Sequence, residues 1–150
     1  MKKKVTLIIQ ARMGSSRLPG KSILDLAGVP LIGRILERVK RTKKVNEIIL
    51  AIPDTSENRI LANVGADYSV TIFKGSENNL VERYYQAALA SKADFVVRLP
   101  ADNATPEPSE IDRIIDHHLS LGRPGFSSNL ASFKNSGYPD GIGAEVFNIE

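Results

Sequence analysis

Residues 5–22 read VTLIIQARMGSSRLPGKS, an apolar run followed at once by a glycine-containing basic loop. A continuous apolar run without polar alternation is the pattern of a strand covered on both faces, as in a parallel sheet. The loop nearly spells the phosphate-cradling G-x-x-x-x-G-K-[ST] and fails as one on three counts. Five residues, not four, separate Gly14 from Gly20. Pro19 removes a backbone N–H from a loop whose task would be to offer N–H groups to phosphate. The lysine of that motif opens a long helix, whereas Gly28 and Pro30 interrupt the segment SILDLAGVP that follows Lys21.

The loop still has the makings of an anion site. Gly14 and Gly20 let backbone approach a ligand, and Ser15 and Ser16 supply hydroxyl donors. Arg12, Arg17 and Lys21 bring three positive charges into one bend, arginine with a planar fork suited to phosphate and lysine as a point charge. Three cations so close repel one another until an anion arrives, and a triphosphate answers that need. The competing reading is a solvated basic turn.

Outward from this stretch, strands and helices alternate. Leu31, Ile32, Ile35, Leu36 and Val39 recur at helical spacing behind Pro30. EIILAIP reads as a second buried strand, and TSENRILANVGAD as a short helix capped by Thr55 or Ser56 and stopped near Gly65. VTIFKG is a third strand, followed by a helix capped by Ser76 with Leu80, Val81, Tyr84, Tyr85, Ala88 and Leu89 as its apolar positions. DFVVRLP is a fourth strand, and Ser109 caps a helix carrying Ile111, Ile114, Ile115, His118 and Leu119 on one face. GFSSNL and AEVFNI read as two more strands. The fold class expected is α/β, a three-layer α/β/α sandwich around a mostly parallel, Rossmann-like sheet with right-handed crossovers. In such sheets ligands sit beyond the carboxyl ends of the strands, which singles out ARMGSSRLPGK and PADN. Adjacent on a helix, His117 and His118 point about 100° apart and cannot clamp one ion; they read as one surface and one core residue.

Composition narrows the classes. The chain of 150 residues suits a single domain, with 42% hydrophobic and 25% charged residues, as in an ordinary soluble protein. No cysteine is present, which excludes thiol catalysis and thiolate metal sites and agrees with a cytoplasmic location. No apolar run approaches the roughly 18–20 residues needed to span a membrane, so no membrane partner is expected. The first 50 residues hold 12 Lys and Arg against 3 Asp and Glu, and the other hundred hold 8 against 14. A basic first third could meet a polyanion, but RVKRTKK carries no aromatic residue for base stacking, and nucleic acid is not the expected partner.

ARMGSSRLPGK resembles the A-R-x-G-S-x-R-x-x-x-K signature of the cytidylyltransferase family that activates acidic sugars. That family includes the acylneuraminate and 3-deoxy-manno-octulosonate enzymes, and the spore-coat polysaccharide biosynthesis branch looks nearest. Ala11, Arg12, Gly14, Ser15, Arg17 and Lys21 fill every specified position. GSENNLVERYYQAA, FVVRLPADN and YPDGIGAEVF continue the resemblance in order. It implies a fold of the nucleotide-diphospho-sugar transferase type and a reaction of CTP with a sugar, for surface polysaccharide biosynthesis, giving a CMP-sugar and pyrophosphate. Arg12, Arg17 and Lys21 would then neutralise the leaving phosphates, with main chain near Gln10 and Ala11 passing close to the base. Arg83 and Arg98 would touch base or sugar, although Arg83 also reads as an exposed helix residue. A homodimer is a further implication.

The resemblance also implies Mg²⁺, held by Asp102, which otherwise reads as a turn former, and by Glu145. Here the match thins. Gly143 stands where the family's G-x-D-x-E pattern has aspartate, Asn103 and Ala104 replace C-P of its D-C-P, and Asn79 replaces an acidic residue. Asp140 is a candidate substitute, though before Gly141 it looks like a turn residue. Relatives also continue well beyond the AEVF strand, so residues 1–150 read either as a fragment lacking the family's C-terminal portion or as a minimal version. Two readings stay open, a Mg²⁺-dependent cytidylyltransferase and a nucleotide-binding homologue without turnover.

Overall fold

The computed structural model describes residues 3–130, 137, 139 and 141–149. Its chain order is β1 (Val5–Gln10), β2 (Asp25–Leu26), β3 (Val29–Pro30), α1 (Leu31–Val39), β4 (Glu47–Pro53), α2 (Arg59–Asp67) and β5 (Thr71–Gly75). Then follow α3 (Leu80–Ala90), β6 (Phe95–Pro100), α4 (Pro108–Ser120), β7 (Phe126–Ser128) and β8 (Glu145–Asn148). Six strands form one sheet in the order β5-β4-β1-β6-β8-β7. The β5-β4-β1-β6 part is parallel, and β8 runs antiparallel to both β6 and β7.

The alternation of side chains along β1 sets the layers. Val5, Leu7 and Ile9 face a core built with Ile32, Ile35, Leu36 and Val39 of α1, Leu61 of α2 and Ile111, Ile114 and Ile115 of α4. Ile8 points the other way, with Ile49, Ala51 and Val96, onto Tyr84, Ala87 and Ala88 of α3. Both faces of β1 are therefore dry, which explains its unbroken apolar run. The result is the expected three-layer sandwich. Among the described residues no helix is long and apolar enough to cross a membrane.

SILDLAGVP opens no long helix, as Gly28 and Pro30 led one to expect: a short 3-10 turn at Lys21–Ile23 is followed by the β2–β3 hairpin, whose two turn residues Ala27 and Gly28 both have positive φ. Several other local expectations are corrected. Helix α2 runs through Gly65 to Asp67, because a Cβ there would press on Ile72 Cδ1 and a bare backbone lets the helix lie against the sheet. Asn79, not Ser76, caps α3, its Oδ1 accepting from Glu82 N at 3.0 Å, while Ser76 Oγ accepts from Asn79 N. Pro108, at N1, begins α4 ahead of Ser109. On α3 the apolar positions Leu80, Val81, Tyr85 and Leu89 are exposed, as is Leu119 on α4. His118 is buried and ties α4 to the antiparallel strands, with Nδ1 2.8 Å from Ser127 Oγ and Nε2 2.9 Å from Asn148 Oδ1. His117 is exposed, so the two histidines divide as the helical angle requires.

Candidate active site

Chain connections leave β1 toward β4 on one side and reach β6 on the other, so the sheet's switch point lies between β1 and β6. Crevices for ligands open there, beyond the carboxyl ends of the strands. Ala11 N donates to Ala51 O, and Ala101 N to Gln10 O, fixing the two exits side by side. Above them lies a cavity of about 430 Å³.

The loop after β1 is held in shape before any ligand arrives. Asn58, buried below the loop, accepts from Met13 N at 2.9 Å and donates from Nδ2 to Thr55 Oγ1 at 2.6 Å. Gly20 N donates to Met13 O at 2.9 Å, closing the bend, and Gly20 has φ 69°, a region that favours glycine. A Cβ on Gly14 would meet Glu57 Oε1 at 3.5 Å, ordinary contact, so the fold does not itself demand glycine there.

Of the residues singled out in the sequence, Gln10, Ala11, Arg12, Ser15, Arg17, Lys21, Arg83 and Asp102 all line this cavity. Among the described residues neither Arg12 nor Arg17 forms an ion pair. Lys21 Nζ lies 2.6 Å from Asp102 Oδ2. That hydrogen bond holds the Asp102 carboxyl below its usual range, against an opposing effect of burial and with help from the charge of Arg17.

Arg83 is not the exposed helix residue it resembles in sequence. It is 4% exposed, in the first turn of α3, and its stem fills the space left by Gly75, whose Cβ would stand 3.1 Å from Arg83 Cγ. Its Nη1 donates to Ser76 O at 2.5 Å, while Nε is buried without a partner among the described residues. Burial above all pulls the guanidinium below its ordinary pKa, against the opposing effect of Tyr84 and with a smaller contribution from the charge of Arg12. Gln10 Oε1 is likewise buried and, among the described residues, unpartnered. A buried guanidinium without a carboxylate is a cost that an anionic guest would offset.

Arg98 and Glu145 are not brought to this cavity. They face each other across β6 and β8, and Arg98 Nη1 donates to Glu145 Oε2 on the α3 side of the sheet, beside Tyr84. Burial works against the Arg98 charge, but Glu145 and Tyr84 more than restore it. Glu145 thus pairs with Arg98 and does not line the cavity with Asp102, so the structure does not bring the expected ligand pair together. Position 143 is closed to any side chain by Asn129, whose Oδ1 accepts from Ala144 N at 2.8 Å. Asp140 lies outside the described residues. Among the described residues no three His, Asp or Glu side chains gather as a metal site. Asp102 can still serve Mg²⁺, which accepts a single carboxylate when phosphate oxygens and waters fill the other positions.

Sequence reasoning missed Asn58, Ser22, Glu77 and Asn78, the last three of which line the cavity. Glu77 and Asn78 lie in the turn before α3, where only capping had a readable signal. Asn58 offers none, since its partner is a backbone N–H 45 residues away in sequence.

Known proteins resemble this chain in sequence and in fold. A family model described as cytidylyltransferase matches residues 6–148. The spore coat polysaccharide biosynthesis protein SpsF of Bacillus subtilis is 31% identical over 148 residues, covering 96% of this chain and 59% of its own. A 3-deoxy-manno-octulosonate cytidylyltransferase of Anaeromyxobacter sp. (strain K) is 37% identical over 113 residues, covering 74% of this chain and 46% of its own. The solved structure of a cytidylyltransferase from Leptospira borgpetersenii serovar Hardjo-bovis superposes with a TM-score of 0.89 at 31% identity, over 99% of this chain and 61% of that one. The chain therefore spans roughly half to three fifths of the length of these proteins.

Proposed function

The chain belongs to the cytidylyltransferase family, and from that premise we propose that it carries the nucleotide half of a sugar nucleotidyltransferase that uses CTP, Mg²⁺ and an acidic sugar. The observation that carries this reading is the meeting of Arg12, Arg17, Lys21 and the underpaired Arg83 in one cavity at the β1–β6 switch point. The triphosphate tail lies against Arg12, Arg17 and Lys21, with Ser15 and Ser16 as hydroxyl donors and Gly14 leaving room for close approach. Main chain at Gln10 and Ala11 borders the base. Arg83, at the cavity wall, adds positive charge toward the nucleotide.

In the reaction a sugar oxygen forms a bond to the α-phosphorus while the bond from that phosphorus to the bridging oxygen breaks, releasing pyrophosphate and one proton. The chain's own contribution is positioning and neutralisation of the leaving group's charge. Asp102 would hold Mg²⁺, which when bound supplies charge stabilisation at phosphate oxygens. The same reading includes a cytoplasmic location, a role in surface polysaccharide biosynthesis and a homodimer, the last supported by the exposed apolar positions Val81, Tyr85 and Leu89 on one face of α3.

Pyrophosphate release is the test, with CTP, MgCl₂ and a panel of acidic sugars. Release that depends on both CTP and one sugar is the expected result. A second reading, nucleotide binding without turnover, draws on Glu145 being held by Arg98 and on position 143 being closed. CTP binding by calorimetry with no release for any sugar would favour it.

A further inference from the structure

Two side chains that the proposed reaction assigns to different guests are each other's partners. Lys21 is to meet phosphate and Asp102 the metal, yet Lys21 Nζ and Asp102 Oδ2 stand 2.6 Å apart. We propose that Lys21 guards Asp102 in the nucleotide-free protein, so that a usable cation site exists only after a polyphosphate tail has drawn Lys21 away. This inference rests on the nucleotide-transfer reading above.

The contact joins two separate loops. Lys21 begins the 3-10 turn that follows Gly20, and Asp102 lies two residues past β6. The other half of the Lys21 loop is fastened through Met13 to buried Asn58 and through Gly20 to Met13. Backbone near Lys21 is thus fixed, while its four-carbon stem can swing the ammonium between two oxygens without moving the loop. Both side chains keep access to solvent, 26% for Lys21 and 47% for Asp102, and exposed pairs of this kind are weak. A weak pair is what an exchange needs. It holds when nothing competes and yields to a triphosphate, whose several negative charges outbid one carboxylate.

The same pair works against a cation arriving first. Mg²⁺ requires an oxygen shell, and an ammonium on Oδ2 both occupies a lone pair and repels the dication at close range. Arg17, whose charge also reaches Asp102, adds to that repulsion until phosphate neutralises it. Nucleotide binding removes both obstacles together. The coupling is reciprocal, so a cation on Asp102 strengthens the hold of Lys21 on phosphate in equal measure.

The test uses the whole chain and Mn²⁺ as the probe, with free Mn²⁺ read by electron paramagnetic resonance in the absence of nucleotide. Lys21→Met, or Lys21→Gln should the first variant fail to fold, is expected to bind Mn²⁺ at least about threefold more tightly than the wild type. Adding Asp102→Asn to that variant is expected to abolish the gain. Equal or weaker Mn²⁺ binding by the folded Lys21 variant overturns the proposal, as does a gain that persists without Asp102. Calorimetry of CTP without metal is the separate arm. A wild type that ignores CTP sinks the transfer reading, whatever the Mn²⁺ titrations return.

Discussion

A Cβ built on Gly143 would stand 2.6 Å from both the carbonyl oxygen and Oδ1 of Asn129. Asn129 is itself anchored, accepting from Ala144 N and donating from Nδ2 to Glu110 O at 3.1 Å. Placing here the aspartate that the resemblance leads one to expect should therefore damage the fold. One of the two obstructing atoms is main chain, which no side-chain rotation relieves. Gly143→Asp is expected to cost about 1–3 kcal/mol in thermal or denaturant unfolding, the range for overpacking. Unchanged stability together with tighter Mn²⁺ binding would show that the position still accepts a ligand.

The Lys21–Asp102 pair gives a pH dependence of definite sign. Lys21's hydrogen bond keeps the Asp102 carboxyl below the ordinary carboxylate value, which is about 3.9 in an unfolded chain. Its contribution to stability is complete above that ordinary value and disappears as pH falls through the lower value of the folded protein. Solvent screening keeps the contribution small. Carbon-detected NMR of the Asp102 carboxyl is expected to show a midpoint below about 3.9, moved upward in Lys21→Met. Identical midpoints in the two proteins would mean that the pair does not form in solution.

Much of this architecture can be read from local sequence, because it depends on local pattern. Val5, Leu7, Ile8 and Ile9 announce a strand dry on both faces, and the cations after it lie where a switch-point loop must. Arg83 is different. The inner face of α3 is Arg83, Tyr84, Ala87 and Ala88, while Val81, Tyr85 and Leu89, more apolar than Arg83, stay outside. Hydropathy favours the wrong stripe because the bare backbone of Gly75 admits the arginine stem. The partners of Glu145 and Gly143 depend on the register of β8 against β6 and on where Asn129 falls, neither of which a local pattern encodes. The β2–β3 turn is not legible in local sequence, because Ala27 takes a positive φ usually left to Asn, Asp or Gly.

Arg83 sets stability against binding. Its Nε, orphaned among the described residues, and a charge held near Arg12 with no carboxylate among them, are costs that the ligand-free protein carries. Arg83→Met keeps a long apolar stem and removes both. Its unfolding midpoint is expected to equal or exceed that of the wild type. CTP affinity should fall about tenfold or more, the loss expected for a charge-assisted hydrogen bond. A variant that unfolds earlier yet binds CTP normally would assign Arg83 to the scaffold alone.

Glu145 allows the sharpest separation of a structural from a metal-binding carboxylate. Its side chain and that of Arg98 are 17% and 33% exposed, so their pair is mostly shielded from water. Glu145→Gln leaves the Arg98 charge facing a neutral amide beside Tyr84. The cost should be about 1–2 kcal/mol of stability, below that of breaking a fully buried pair. Cation binding should be spared, since Glu145 does not border the cavity that holds Asp102. In the Lys21→Met background, Mn²⁺ affinity is therefore expected to be unchanged by Glu145→Gln and lost with Asp102→Asn. If the two substitutions weaken Mn²⁺ binding equally, Glu145 must leave Arg98 and enter the site when the cation arrives.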